Sequence, residues 1–224
     1  MITIETYQAL LEEILDNGQN MDVDRTGAGR RMIPKYTFDH DLRESFPLLT
    51  TKQVSFKNVA NELLWFLSGS DSIVPLLEKK CHIWSSDALR FNMSYVADSG
   101  LISEEEVLRA QQEARHNANY ELARSLIKRY EEKLLSDEEF AENAGKLGPI
   151  YGPQWRGMNG ALNIDQISDL EEKLDAGGSS TRMLVSAWNP AQLKEMALPP
   201  CHYAFSVDIQ PESNELNLQW KQRS

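Results

Sequence analysis

The sequence is short of several things, and each shortage closes off a class of protein. Two cysteines, Cys81 and Cys201, in 224 residues do not make a disulfide framework. Neither lies at metal-ligand spacing from the four histidines, so no metal site is expected. No apolar run approaches the length needed to cross a bilayer, and the first eighteen residues read as an acidic amphipathic helix without a basic leader or cleavage site. A cytoplasmic location is expected. Basic residues are outnumbered, 23 Lys and Arg against 34 Asp and Glu, for a formal charge of −11. Nucleic acids and anionic membranes need a basic face to release counterions, so neither is an expected partner. Much of the acid falls in residues 103–142, which leaves room for a small anion to bind elsewhere, where a few arginines converge. Internal repeats, low-complexity tracts and interdomain linkers are missing as well. What remains, at 41% hydrophobic, suits one core, built as a single domain with an insertion.

The most informative stretch present is TRMLVSAWNPAQLKEMALPPCHYAF, residues 181–205. Residues 183–188 read as an apolar strand, followed by a polar connection, a Pro-Pro pair and a second apolar run that begins at Cys201. Pro199 and Pro200 keep the backbone extended, so the Cys201 sulfur is presented from a rigid corner. A thiol there is either a small buried hydrophobe or a nucleophile, given a neighbour that favours the thiolate.

Along the rest of the chain, residues 2–16 have helical periodicity closed by Asn17-Gly18. DRTGAGRR, 24–31, is a cationic glycine loop that suits a phosphate or a solvated turn. Residues 36–41 are predicted as a strand and FPLLTTK, 46–52, as extended chain. The most apolar helix runs over about 55–67. It contains Glu62 among Leu63, Leu64, Trp65 and Phe66, either on the solvent face or facing a cleft where burial raises its pKa. Residues 72–93 hold a short helix and a loop around Trp84, an indole for packing or for stacking on a flat ligand.

Residues 99–145 are charged and helix-forming, with caps predicted at Ser103 and Ser136. They read as a helical hairpin added to the core, a partner-binding arm or a solvated insertion with one apolar stripe. Residues 146–160 are predicted as a Gly/Pro-punctuated loop around Tyr151, Trp155 and Arg156. Residues 164–174 form an amphipathic helix with Asp165 near its positive end. Strands at 203–209 and 216–224 follow, joined by a turn at PESNE. The order suits an α+β domain with a largely sequential sheet.

Taken together and in this order, DRTGAG (24–29), FPLLTTK (46–52), NELLWFLSG (61–69), IW (83–84), LGPIYGPQWR (147–156), IDQI (164–167), RMLVSAWNPAQLKEMALPPCH (182–202) and LQWKQRS (218–224) resemble the thymidylate synthase family. The resemblance implies that family's α+β (α/β) fold over 1–224, a mixed sheet with packed helices and a helical insertion at 92–145. It implies a homodimer that alkylates C5 of dUMP with the co-substrate 5,10-methylenetetrahydrofolate, giving dTMP and dihydrofolate. Cys201 matches the nucleophile that adds to C6, and Arg223 the arginine beside it and the substrate phosphate. Glu62 matches a glutamate that orders water and moves protons, and Tyr151 a tyrosine implicated in C5 proton removal. Arg25 and Ser224 match phosphate ligands, Gln222 lies with them as a substrate contact, and Arg182 matches an arginine reaching the partner subunit's phosphate site. Trp84 matches the folate-side tryptophan, Lys52 and His202 fall at peripheral contacts, and Asn189 reads as structural.

Three departures stand beside the resemblance. Thr181 replaces the first of two adjacent arginines. SSDALRFN follows Trp84 where acidic and aromatic residues near the cofactor are usual, which keeps dUMP or dCMP hydroxymethylation, ending in attack by water, as a sister activity. The motifs stop at Ser224, before the family's folate aspartate, base-reading asparagine, ribose His/Tyr pair and closing tail. The chain is therefore expected to be part of a longer or split product, inactive or poorly folded alone, with a non-catalytic nucleotide-binding or assembly fragment as the third reading.

Overall fold

The computed structural model describes residues 4–21, 29–117, 119–177, 180–210 and 212–223. The chain divides into two compact units, residues 1–57 and 58–224.

In the first unit, helix α1 (Ile4–Asn17) stops at Gly18, whose N–H donates to Ile14 O at 3.0 Å. A Cβ at residue 18 would lie 2.2 Å from that oxygen, so the stop requires glycine. Strands β1 (Gln19–Met21) and β2 (Arg30–Met32) pair antiparallel with Asn20 opposite Arg31. Arg31 ties the pair together, donating to Asn20 Oδ1 at 3.2 Å and to the Leu15 carbonyl at the end of α1. The DRTGAG loop, with Arg25, falls largely outside the described residues. The strand predicted over 36–41 does not form, and 46–52 is likewise irregular. A strand is held by a ladder partner, and among the described residues none pairs with these segments. Ring contacts organise them locally, Tyr36 on Phe38 at 4.9 Å and Phe46 edge-on to Phe56 at 5.2 Å. Lys52 is exposed in a bend.

The second unit opens on α2 (Phe56–Leu67), which it takes from Asn58 onward, and continues through α3 (Val74–Glu78), α4 (Ser85–Phe91) and α5 (Met93–Asp98). Then come α6 (Glu104–Asn117), α7 (Glu121–Ser136) and α8 (Glu138–Ala144), the charged stretch. Ser103 and Glu106 cap α6 reciprocally, with Ser103 N–H donating to Glu106 Oε2 at 2.8 Å and Glu106 N–H to Ser103 Oγ at 3.2 Å. The second cap is Asp137 and not Ser136. Asp137 Oδ1 accepts the Phe140 N–H at 3.0 Å, whereas Ser136 is the last residue of α7 and its hydroxyl donates back to Glu132 O at 2.8 Å. The carboxylate wins because it also carries the charge favoured at a helix start. Leu126, Tyr130 and Leu134, four residues apart on α7, are buried and join the same core as Trp65, Leu76 and Ile150. The apolar stripe of the insertion is thus continuous with the main core.

Residues 146–160 contain a short helix, α9 (Gly152–Gly157), where a loop was predicted; Pro153 sits in its first turn, where a missing N–H costs nothing. Helix α10 (Gln166–Asp175) is capped by Asp165, which accepts the Ser168 N–H at 3.0 Å. Strands β3 (Leu184–Ser186), β4 (His202–Gln210) and β5 (Glu215–Gln222) form a sequential antiparallel sheet. The side chains of Val185, Phe205 and Val207 share one face of it, and Val185 and Val207 are buried.

Candidate active site

The site is assembled where α2, the start of α4, the turn before α9 and the start of β4 meet. The turn is held first. Gly148, at φ +73°, runs so close to residue 195 that a Cβ there would lie 2.0 Å from Glu195 O. Leu147 N–H donates to Asp71 O at 3.0 Å and Leu147 O accepts from Ala197 N–H at 2.9 Å, so 147–151 is clamped to the segment that leads to the Pro-Pro pair. Tyr151 follows with a positive φ of 47°, a conformation sustained by its surroundings. Its ring is buried, 4.4 Å from Phe66 and 6.0 Å from Trp84 by centroids.

The Tyr151 hydroxyl reaches the cysteine corner. It accepts the backbone N–H of Cys201 at 2.9 Å and that of His202 at 3.4 Å. Burial pushes the phenol pKa up, and those two N–H donors oppose it. The phenol therefore keeps its proton at neutral pH. Cys201 is partly exposed and free, at the end of the irregular run that precedes β4.

Glu62 projects from the same helix as Phe66 and faces Trp84, whose indole N–H donates to Glu62 Oε1 at 2.9 Å. Glu62 is thus turned into the unit and away from the solvent face. Burial raises its carboxyl pKa, with the Trp84 hydrogen bond pulling the other way. The other cysteine, Cys81, is buried, its thiol pKa raised by desolvation, and its sulfur lies 4.0 Å from Asn58 O. Of the two, Cys201 is the accessible thiol.

Arg223 serves the corner from just past the end of β5. Its Nε donates to Pro200 O at 3.1 Å and its Nη2 to Pro199 O, while its backbone N–H donates to Cys201 O at 2.9 Å. The guanidinium also stands over the Trp188 ring at 5.8 Å. Its observed partners are the two prolyl carbonyls ahead of the cysteine, so it fixes the backbone on which the sulfur rides. Gln222, beside it, is exposed and pairs with His202 in the β4–β5 ladder.

The structure therefore brings Cys201, Tyr151, Glu62, Trp84, Arg223, His202 and Gln222 into one linked region of the second unit. Arg182 stands apart, exposed in the turn that leads into β3. Arg25 and Ser224 lie outside the described residues. Asn189 is buried and structural: its Nδ2 is within 3.2 Å of Gln154 Oε1 and Asn159 Oδ1 and 3.0 Å from Gln192 Oε1. After Trp84 the SSDALRFN segment is α4, with Asp87 and Arg90 paired at 2.6 Å. Trp220, absent from the sequence-derived set, donates its indole N–H to His202 Nδ1 at 3.2 Å. Its signal was available, since alternation along β5 places it on the same face as Gln222. Among the described residues no three His, Cys, Asp or Glu side chains converge as a metal site.

A family model described as thymidylate synthase matches residues 5–224. The thymidylate synthases of Listeria monocytogenes serotype 4b (strain CLIP80459) and of Listeria innocua serovar 6a (strain ATCC BAA-680 / CLIP 11262) are each 38% identical to the chain over 223 residues. The aligned region covers 99% of this chain and 69% of each relative's length.

Proposed function

The chain belongs to the thymidylate synthase family, and on that premise we propose that it transfers the one-carbon unit of 5,10-methylenetetrahydrofolate to C5 of dUMP, yielding dTMP and dihydrofolate. The observation that carries the reading is the accessible thiol of Cys201 on a corner held from both sides, by the Tyr151 hydroxyl and by Arg223.

C5 of uracil is a poor nucleophile. Addition of the Cys201 thiolate to C6 moves the ring's electrons onto the C4 oxygen, and the resulting enolate attacks the folate's methylene carbon through C5. The C5 proton then passes to a water that the Tyr151 O–H orients and from there to solvent, the tetrahydrofolate leaves C5's new methylene, and hydride from that tetrahydrofolate reduces the exocyclic methylene as the thiolate departs, giving dTMP and dihydrofolate. Glu62, whose pKa burial raises and which Trp84 orients, is suited to hold and pass protons at the pyrimidine and folate. Trp84 offers the folate side of the site an aromatic wall, and Lys52 is assigned a peripheral contact there. Arg25, Gln222 and Ser224 are assigned to the nucleotide, and Arg182, exposed ahead of β3, to the phosphate of a partner subunit in a homodimer. The setting is cytoplasmic; among the described residues no helix is long and apolar enough to cross a membrane.

Incubation with 5-fluoro-dUMP and methylenetetrahydrofolate tests the reading. A stable ternary adduct on the Cys201 peptide by mass spectrometry, absent in Cys201→Ala, is the expected result. Folded protein that forms no adduct would overturn it. Absorbance during turnover separates the sister activity, because methyl transfer accumulates dihydrofolate whereas hydroxymethylation regenerates tetrahydrofolate.

A further inference from the structure

His202 follows the nucleophile, and three residues of one sheet face settle the state of its ring. A β-bulge between His202 and Ala204 makes Phe205 face Trp220 while His202 faces Gln222. Without that extra residue a separation of three would put His202 and Phe205 on opposite faces of the strand; with it, His202, Trp220 and Gln222 share one. The indole of Trp220 is fixed independently of its N–H. It lies parallel to Phe205 with centroids 5.6 Å apart and edge-on to Trp155 at 6.5 Å.

That indole N–H is a donor only, and it is aimed at His202 Nδ1 from 3.2 Å. The nitrogen that receives it carries no proton, so the neutral imidazole holds its proton on Nε2. Gln222 stands directly across from His202 in the β4–β5 ladder; burial lowers the ring's pKa, and the hydrogen bond with the Gln222 side chain opposes it. With Nδ1 taken by the indole, the donor the ring can turn toward that amide is Nε2–H, which only the amide oxygen can accept, and this leaves the NH2 to offer elsewhere.

We propose that Trp220 is a positioning residue: its indole N–H locks His202 as the Nε2–H tautomer, and His202 in turn orients the Gln222 amide so that its NH2 faces an acceptor oxygen of the bound nucleotide. The nucleotide half rests on the function proposed above; the tautomer lock does not. The logic is that of a ligand-orienting second layer: the group that touches the ligand has two possible senses, and a residue behind it removes one.

Long-range proton–nitrogen correlation spectra of the 224-residue chain labelled at histidine read the tautomer directly. The wild type should show His202 protonated on Nε2 alone. Trp220→Phe keeps a ring on Phe205 and removes the N–H, so both tautomers should appear and dUMP affinity by calorimetry should fall about fivefold, the worth of one ordinary hydrogen bond. Gln222→Leu leaves the indole in place, so it should keep the Nε2 proton while dUMP affinity falls by a similar factor. A wild-type ring protonated on Nδ1, a tautomer unmoved by Trp220→Phe, or one shifted by Gln222→Leu would each overturn the lock. A shifted tautomer with unchanged dUMP affinity would overturn the link to Gln222. Wild type that shows the lock yet binds no dUMP would support the lock and overturn the functional reading.

Discussion

At the scale of single residues, Glu62 is the group whose environment contradicts its chemistry most plainly. It sits on an apolar helix, and the group that hydrogen-bonds it, the Trp84 indole, is a neutral donor. Desolvation raises its pKa, and the sign of the consequence for stability follows. Below the ordinary carboxylate range the folded and unfolded chains both hold the proton. Above it the unfolded chain releases the proton first, so stability declines as pH rises through the folded value. Glu62→Gln keeps an oxygen for the Trp84 N–H and cannot ionise. Thermal unfolding of the variant should therefore match wild type in acid and exceed it at neutral pH, and a variant less stable at both would refute the account. The same substitution should lower kcat by about 10² to 10⁴-fold, the range for a lost general acid or base, and should remove the limb of the pH–rate profile that wild type owes to this carboxyl. Helical spacing alone left the solvent face and the cleft equally open to Glu62. Trp84, 22 residues away, decided between them.

At the scale of elements, the corner at Pro199, Pro200 and Cys201 is made by three segments, none of which holds it alone. The turn at 147–151 supplies the Tyr151 hydroxyl, the residue just past β5 supplies the Arg223 guanidinium, and the two prolines remove the backbone N–H groups that would otherwise need partners. Tyr151→Phe leaves the ring packing on Phe66 and strands the N–H groups of Cys201 and His202. It should cost about 1–3 kcal/mol in urea unfolding and slow adduct formation with 5-fluoro-dUMP. Unchanged unfolding would show that other groups satisfy those donors. Gly148→Ala is the harsher test of the same clamp, because the methyl would meet the Glu195 carbonyl at a backbone φ of +73° that alanine resists. Destabilisation beyond that of Tyr151→Phe is expected. Most of these elements were legible beforehand, the helices from their period and the last three strands from an apolar run at 183–188 and the pattern that follows Cys201. Residues 36–41 were not, because a pattern that suits a strand says nothing about whether a neighbour exists to pair with it. Asp137 outcompeting Ser136 as a cap, by one position, was equally hidden: both residue types cap well, and the choice depends on where α7 unwinds.

At the scale of the whole molecule, motif order along the chain carried the family, whereas the site's internal geometry came from contacts between residues far apart in sequence. Trp220 and His202 meet across 18 residues of hairpin, through a bulge that no periodicity announces. Arg182 marks the opposite case, a residue whose proposed task lies in another copy of the chain. It is exposed, next to Leu184, itself 57% exposed on the edge strand of the sheet. In a two-fold dimer with sites shared between protomers, Cys201→Ser and Arg182→Glu fall in different chains of the same site. Each variant alone should lose nearly all turnover, the first through its nucleophile and the second through a repelled phosphate. Mixed after partial denaturation and refolded together, half the dimers should be hybrids. Each hybrid holds one doubly altered site and one intact site, so the mixture should recover about a quarter of wild-type activity. A mixture as inactive as its parents would place Arg182 and Cys201 in the same protomer's site, or leave Arg182 with no part in binding the phosphate.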